Sequence, residues 1–194
     1  MQTVARPYLA PIAVPDDVVR GFSAGRDQWS RDAMRRFLPE ICRDVFGSDH
    51  IIYADAAKID QLDKQYGVDA IVHAPRRHVA LAVRLRSQRY WLSPGDITIR
   101  YDSLQTSGKA LEMRKSIAHY LVFGWCNTDF PQPPTGLLDW HVVALQRLMD
   151  AYLLGRLQPE SGNPRRNRDQ SSQLMGFAVA DLRRLRLMLK SAGQ

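Results

Sequence analysis

The stretch Gly67–Val68–Asp69–Ala70–Ile71–Val72 is followed by the apolar run Val79 to Leu85, which contains Ala82–Val83–Arg84. Both runs are rich in β-branched and aliphatic residues, and the short link Pro75–Arg76–Arg77 between them predicts a β-hairpin. An acid inside an apolar strand is costly to bury unless it is paired or binds a cation. Asp69 is therefore predicted either to form an ion pair across the sheet or to bind a metal ion.

The elements around this hairpin follow from hydrophobic periodicity. A first helix is predicted from Ser30 to Phe46, with Gly47 as its stop and Pro39 kinking or splitting it. Further helices are predicted over Ser107 to His119, Leu137 to Leu154 and Leu174 to Leu189. The predicted strands are Ile51 to Ala57, Val68 to Ala74, Val79 to Ser87, Ile97 to Tyr101 and the nearly all-apolar Tyr120 to Cys126. This order indicates an α/β or α+β sandwich around a mixed sheet.

Four segments are expected along the chain. Residues 1–29 contain Pro7, Pro11 and Pro15 and are predicted to be an N-terminal arm. Residues 30–157 form the α/β core with its last helix. Residues 158–172 are polar and arginine-rich, which predicts a mobile linker. Residues 173–194 are predicted to be a C-terminal amphipathic helix.

The composition favours a polyanionic partner. The net charge is +7, and 22 of the 27 cationic residues are arginine, whose planar group matches phosphate geometry. An arginine-rich proteome is the alternative explanation for this bias.

The cysteine content and the hydropathy bear on the compartment. Only Cys42 and Cys126 are present, which predicts neither a disulfide framework nor a zinc site. No apolar run reaches the ~18 residues of a membrane span. These features predict a reduced, cytoplasmic protein.

A second group of residues has the chemistry that phosphodiester hydrolysis needs. Such hydrolysis with Mg²⁺ requires carboxylates for the metal and a cation near the attacked phosphorus. Glu112 and Lys115 lie three residues apart on the predicted Ser107 to His119 helix, so they share a face that can turn toward Asp69. An exposed pair that only supports the helix is the alternative. The five histidines of the chain show no metal-binding spacing.

The window from Arg76 to Arg100 is the candidate nucleic-acid surface. It holds six arginines and a single acid, Asp96, with Tyr90 and Trp91 between the arginines and Tyr101 directly after the last of them. Cations alternating with aromatic rings are typical of a track for a phosphate backbone with stacking platforms. A charged, solvated sheet edge is the alternative. The predicted contacts are Arg76, Arg77, Arg86, Arg100 and Trp91.

The pattern from Ser30 to Asn127 resembles the restriction-endonuclease-like superfamily, also called PD-(D/E)xK nucleases. Gly67–Val68–Asp69 matches the first motif of that family. Ala82–Val83–Arg84 falls where its Glu-x-Lys stands, and this is a departure from the family pattern. The resemblance implies a three-layer α/β sandwich, in which a mixed central sheet is flanked by helices and extra helices follow at the C-terminus.

The resemblance also implies a Mg²⁺-dependent deoxyribonuclease, with Mn²⁺ as a substitute metal. Some members take the missing carboxylate from the following helix. Asp69 and Glu112 would then hold the metal, Arg84 would stabilise the developing phosphorane charge, and Lys115 or Arg84 would be the cation. The altered motif also fits a weakened or inactive nuclease. A second hypothesis is a non-catalytic DNA- or RNA-binding module on the same fold. A third hypothesis is a basic interaction protein that forms homodimers through its C-terminal helices.

Overall fold

A computed structural model describes residues 24–54, 66–91, 96–103, 116–160, 165–166 and 172–192. Helix α1 (Ala24–Phe46) begins six residues before the predicted start and continues through Pro39, so the predicted split is wrong. Leu38, Ile41 and Cys42 lie in one buried cluster on both sides of the proline, and this packing offsets the backbone hydrogen bond that proline cannot make. Gly47 ends the helix as predicted, with a left-handed φ of 72°.

The described residues contain nine strands and two further helices, and most of the strands form one mixed sheet. This main sheet has the order β1-β2-β3-β5-β6-β9, in which β3 and β5 are parallel and the other pairs are antiparallel. A smaller sheet has the order β4-β8-β7. The bounds are β1 (Ile51–Tyr53), β2 (Ala70–Ala74), β3 (Arg77–Arg86), β4 (Asp96–Ser103), β5 (Tyr120–Cys126), β6 (Leu137–Ala144), α2 (Leu145–Leu153), β7 (Arg165–Arg166), β8 (Ser172–Ala178), α3 (Val179–Arg184) and β9 (Met188–Ser191).

The two faces of the main sheet bury two separate hydrophobic clusters. One face packs against α1, and alternate residues of the central strands, including Leu81, Val122 and Val142, point into that cluster. The other face packs against the small sheet and the helices α2 and α3; this cluster includes Phe123, Ile97 and Phe177. The alternation of β-strand side chains therefore lets the same strands support a layer on each side.

The predicted hairpin is confirmed, since β2 and β3 pair antiparallel with His73 opposite His78. The predicted buried strand Tyr120 to Cys126 is confirmed with the same bounds. The α/β class and the mixed central sheet are also confirmed.

Three predicted helices differ from the structure. The first half of Leu137 to Leu154 is strand β6, because its backbone pairs with both β5 and β9, and only Leu145–Leu153 is helical. The segment Leu174 to Leu189 contains most of β8, the short helix α3 and the start of β9. Residues 116–119 are not helical, and the rest of the predicted Ser107 to His119 helix lies outside the described residues.

The predicted linker is described only in part. Within residues 158–172, Arg165 and Arg166 form β7, which pairs with β8. Among the described residues, neither α1 nor the shorter helices are long and apolar enough to cross a membrane.

Candidate functional site

Asp69 lies just before β2, where the chain enters the main sheet. Its backbone N–H donates to the carbonyl of Leu81 at 2.8 Å, and its own carbonyl accepts from Ala54 at 2.8 Å. The preceding Gly67 has a left-handed φ of 60°, a conformation that glycine adopts at little cost. The half-buried carboxylate of Asp69 accepts a hydrogen bond from the N–H of Val83 through Oδ2 at 2.6 Å. The acid is therefore held against β3 by its own side chain as well as by its backbone.

Ala82 is the neighbour of Asp69 on β3, because the next pair in the register is Ala70 with Leu81. Its side chain is buried and lies in the same cluster as Ile97 and Ile99 of β4. The position where the resemblance expects a second carboxylate therefore holds a methyl group covered by the small sheet.

Arg84 and Arg86 lie on the same face of β3, as the sequence predicted. The guanidinium of Arg84 donates through Nη1 to the carbonyl of Thr98 at 3.1 Å. The guanidinium of Arg86 donates through Nη2 to Oγ1 of the same threonine at 2.8 Å. Ala82, Arg84 and Arg86 all belong to β3, and Thr98 of β4 holds the guanidinium groups of both arginines.

Glu112 and Lys115 lie outside the described residues, but the chain that follows them is bound next to Asp69. Ser116 Oγ donates to the carbonyl of Gly67 at 3.4 Å. The N–H of Ile117 donates to the carbonyl of Tyr66 at 3.1 Å. The residue directly after Lys115 is thus tied to the turn that leads into Asp69.

A second cationic group lies at the end of β3, in the short 3₁₀ turn Gln88–Tyr90. The guanidinium carbons of Arg86 and Arg89 lie 5.2 Å and 5.6 Å from the centroid of the Tyr90 ring. The backbone N–H of Arg89 also donates to Oδ1 of Asp129 at 3.0 Å, which holds the turn. Tyr90 is 46% exposed, so this cation–aromatic group, Arg86–Arg89–Tyr90, faces solvent. Tyr90 was predicted among the interleaved aromatics, whereas Arg89 and Asp129 were not singled out.

The predicted arginine track is divided between the two ends of β3. Arg77 lies nine residues before Arg86 on this strand, a separation of about 30 Å. The Arg77 guanidinium donates to the hydroxyl of Tyr120 at 3.4 Å. Arg76 is exposed in the hairpin turn. These two cations therefore belong to a different surface from the one around Tyr90.

Trp91 and Arg100 are the remaining predicted nucleic-acid contacts. Trp91 is half-buried, with its ring edge-on to Trp125 at 5.1 Å between centroids. The indole of Trp91 therefore packs against the hydrophobic cluster between the main sheet and the small sheet. The backbone of Arg100 lies on β4, opposite Leu174 of β8.

The fold also brings together three histidines that sequence spacing did not connect. His73 lies directly opposite His78 in the β2–β3 pair, and its N–H donates to the carbonyl of His50 at 2.9 Å. The ring centroids are 4.8 Å apart for His50 and His73 and 4.4 Å apart for His73 and His78. We call this row the histidine ladder. His73 and His78 flank the predicted hairpin turn five residues apart, so the turn could have paired them, whereas only the strand register connects His50 to this row.

Asp69 meets part of the requirement for a divalent metal. Magnesium is usually bound by one or two carboxylates together with waters and substrate phosphates. Within the described residues, which do not include Glu112, no group of three His, Cys, Asp or Glu side chains is arranged to hold a metal ion. Asp69 is one such carboxylate, and a metal site here would need a second carboxylate from another segment.

Comparisons with protein-family models, with curated proteins and with solved structures gave no match.

Proposed function

We propose that this protein is a Mg²⁺-dependent deoxyribonuclease built on a restriction-endonuclease-like core, with Asp69 as its first metal-binding carboxylate. The order of elements supports this proposal. Helix α1 is followed by the antiparallel strands β1, β2 and β3, and the chain then returns to place β5 parallel to β3. The restriction-endonuclease-like resemblance implies a first helix, a β-meander with an acid on its second strand and a later buried strand, and Asp69 here directly precedes β2.

The observation that carries the proposal is the attachment of Ser116 and Ile117 to Gly67 and Tyr66. These bonds bring the end of the segment that contains Glu112 and Lys115 to the turn before Asp69. A carboxylate supplied from that segment would replace the one that is missing at Ala82. Bound Mg²⁺ would polarise the scissile phosphate and lower the pKa of a water.

Arg84 has the charge and the position to act on the same phosphate. It lies two residues beyond Ala82 on the strand that Asp69 contacts, and Thr98 holds its guanidinium. A planar cation fixed before the reaction stabilises charge that develops on phosphate oxygens, because no reorientation is needed. It does not orient a water as an ammonium group would, so we propose slow turnover.

The Arg86–Arg89–Tyr90 group supplies a contact for the DNA backbone beside this site. Arg86 lies four residues beyond Ala82 on β3, about 13 Å away. Arginines held over an exposed aromatic ring bind phosphates and stack with bases, which suits single-stranded as well as double-stranded DNA.

The test is cleavage of single-stranded, double-stranded and branched DNA with Mg²⁺ or Mn²⁺. We expect Asp69→Asn to lower the rate by more than about 100-fold, since loss of a metal ligand costs at least as much as loss of its supporting contacts. Asparagine keeps an oxygen for the N–H of Val83. Asp150→Asn, at an exposed position of α2, is the matched control and should retain wild-type activity. Wild-type activity in Asp69→Asn would refute the assignment.

A non-catalytic DNA-binding module is the second candidate, and the buried methyl group of Ala82 favours it. Under this alternative the protein binds DNA without cleaving it under any metal condition. Each phosphate contact contributes about −0.9 to the slope of log K against log salt, so a group of arginines gives a steep slope. Binding with a steep salt slope but without cleavage would support this function over the nuclease.

A further inference from the structure

The histidine ladder is a row of three imidazoles across three neighbouring chain segments. Side chains alternate along a strand, so His73 of β2 lies on the same face of the sheet as Asp69, which precedes β2 by one residue and is four residues or about 13 Å from His73. His50 and His78 are exposed and His73 is half-buried between them. The rings contact one another at 4.8 Å and 4.4 Å between centroids. Neutral imidazoles pack in this way without repulsion, whereas protonated ones place like charges in contact.

The charges around the ladder are mainly positive. On the β3 side, Arg76 is exposed in the hairpin turn before His78, whereas Arg77 lies on the opposite face of the sheet, where its guanidinium contacts Tyr120. On the β1 side, the carboxylate of Asp49 precedes His50 and is ion-paired with Arg43 of α1. His119 directly precedes β5 and lies beside β3, where its Nδ1 accepts a hydrogen bond from the N–H of Ala80 at 2.9 Å. Among the described residues, no three His, Cys, Asp or Glu side chains are arranged to hold a metal ion, and the exposed cation of Arg76 attracts an anion.

We propose that the histidine ladder, together with Arg76 of the hairpin turn, is a proton-controlled binding surface for the phosphate backbone of nucleic acid. Protonation adds positive charge to the row, and a phosphate placed over the rings relieves the repulsion among them. Binding and protonation are therefore linked, and affinity rises as the pH falls. The proposal shares its nucleic-acid partner with the proposed function but does not require cleavage.

The titration of the central ring agrees with this geometry. Burial lowers the pKa of His73, and the neighbouring His78 and His50 lower it further. A bound phosphate opposes these effects because it offers a negative charge to each ring. We therefore expect protons to be taken up when nucleic acid binds at mildly acidic pH.

The test measures binding of a labelled DNA duplex to the full chain in EDTA, which prevents metal-dependent cleavage. Between about pH 7.5 and about pH 5.5, at constant ionic strength, we expect the affinity of the wild type to rise more than about tenfold, as uptake of one proton gives up to tenfold per pH unit. The triple variant His50→Asn, His73→Asn, His78→Asn should change by less than about threefold. His119 and His141 remain in this variant and serve as an internal control.

Proton uptake gives a second readout that does not depend on the triple variant. Calorimetry in two buffers of different ionisation enthalpy, near pH 6.5, should show about one to three protons bound per complex in the wild type. His73→Gln, which changes only the central ring, should reduce that number. Equal pH dependence in the wild type and the triple variant, or binding without proton uptake, would overturn the proposal. Neither result bears on cleavage at Asp69, which the metal-dependent assay decides separately.

Discussion

His141 is a buried histidine of the described part of the chain, and only one of its two ring nitrogens has a hydrogen-bond partner there. Its side chain is 1% exposed and sits on β6, opposite Ser191 of β9. Nδ1 lies 3.0 Å from the hydroxyl oxygen of Ser191. Nε2 lies 3.4 Å from Oδ2 of Asp139 and has no hydrogen-bond partner among the described residues. Since Ser191 is also buried, this constellation is closed to substrate and its role is to join the last strand to the main sheet.

Burial makes this histidine a source of pH-dependent stability. Desolvation lowers the pKa of His141, and Arg183 acts in the same direction, while Asp139 partly opposes both. The unfolded chain then binds a proton below about pH 6.5 that the folded chain does not. Stability is therefore complete above that pH and is lost as the pH falls toward the folded-state pKa, with a slope of at most about 1.4 kcal/mol per pH unit.

We expect His141→Gln to reduce this slope, because the amide does not titrate and can still contact Ser191. Urea unfolding at a series of pH values between about 7.5 and 5 measures it. Gln88→Asn, an exposed substitution that changes no titratable group, is the control and should keep the wild-type slope. An unchanged slope in His141→Gln would show that other groups cause the acid sensitivity.

At the scale of elements, β5 pairs with both β3 and β6 in the main sheet, and its Gly124 leaves little room for a side chain. A Cβ at Gly124 would lie 3.1 Å from the backbone oxygen of Asp139, 3.1 Å from Cδ2 of Leu85 and 3.3 Å from Cβ of Trp140. The backbone oxygen cannot move without disturbing the β5–β6 pairing. We expect Gly124→Ala to lower the free energy of unfolding by about 1–3 kcal/mol, as for other overpacked sites.

Gly47→Asn is the comparison for that substitution. No atom lies within 4 Å of a Cβ at Gly47, where only the left-handed φ of 72° is demanding, and asparagine tolerates that conformation. Thermal or urea unfolding of both variants should show a clear loss for Gly124→Ala and a small one for Gly47→Asn. A loss as small at Gly124 would mean that β6 can shift away from β5.

The sequence predicts correctly the elements that have a local pattern. The prediction is wrong where pairing with distant strands determines whether a segment is a helix or a strand. The hairpin around Pro75–Arg76 and the strand Tyr120 to Cys126 follow from turn chemistry and an unbroken apolar run. Leu137 to Ala144 has an apolar pattern that suits a helix or a strand buried on both faces, and periodicity alone does not separate them. Its two partner strands, one of them at the far end of the chain, make it β6.

The candidate site shows the same division between local and long-range information. Asp69 was predicted from one costly acid in an apolar strand, and the common face of Arg84 and Arg86 followed from alternation. The methyl group of Ala82 under β4, the anchor of both arginines on Thr98 and the histidine ladder depend on strand register and on the small sheet. Apart from the His73–His78 pair of the predicted hairpin, these contacts join residues that no local pattern connects.

At the scale of the whole molecule, the main sheet separates two hydrophobic clusters that share its strands. Leu38 of α1 is fully buried on one side, and Phe177 of β8 is fully buried on the other. Strands β3, β5 and β6 contribute residues to both clusters, so loss of either layer exposes the opposite face of the same strands. The two layers are therefore expected to unfold together.

We expect Leu38→Ala and Phe177→Ala each to lower the unfolding free energy by about 2–5 kcal/mol, through lost burial and the cavity that remains. Because the sheet couples the layers, each variant should shift one common transition. Trp29 is buried in the α1 cluster and Trp125 in the other, so their fluorescence reports the two sides when single-tryptophan versions are compared with far-ultraviolet circular dichroism in urea. Coincident midpoints are expected in both variants. Separate midpoints, with Trp29 lost first in Leu38→Ala, would show that the α1 layer unfolds independently.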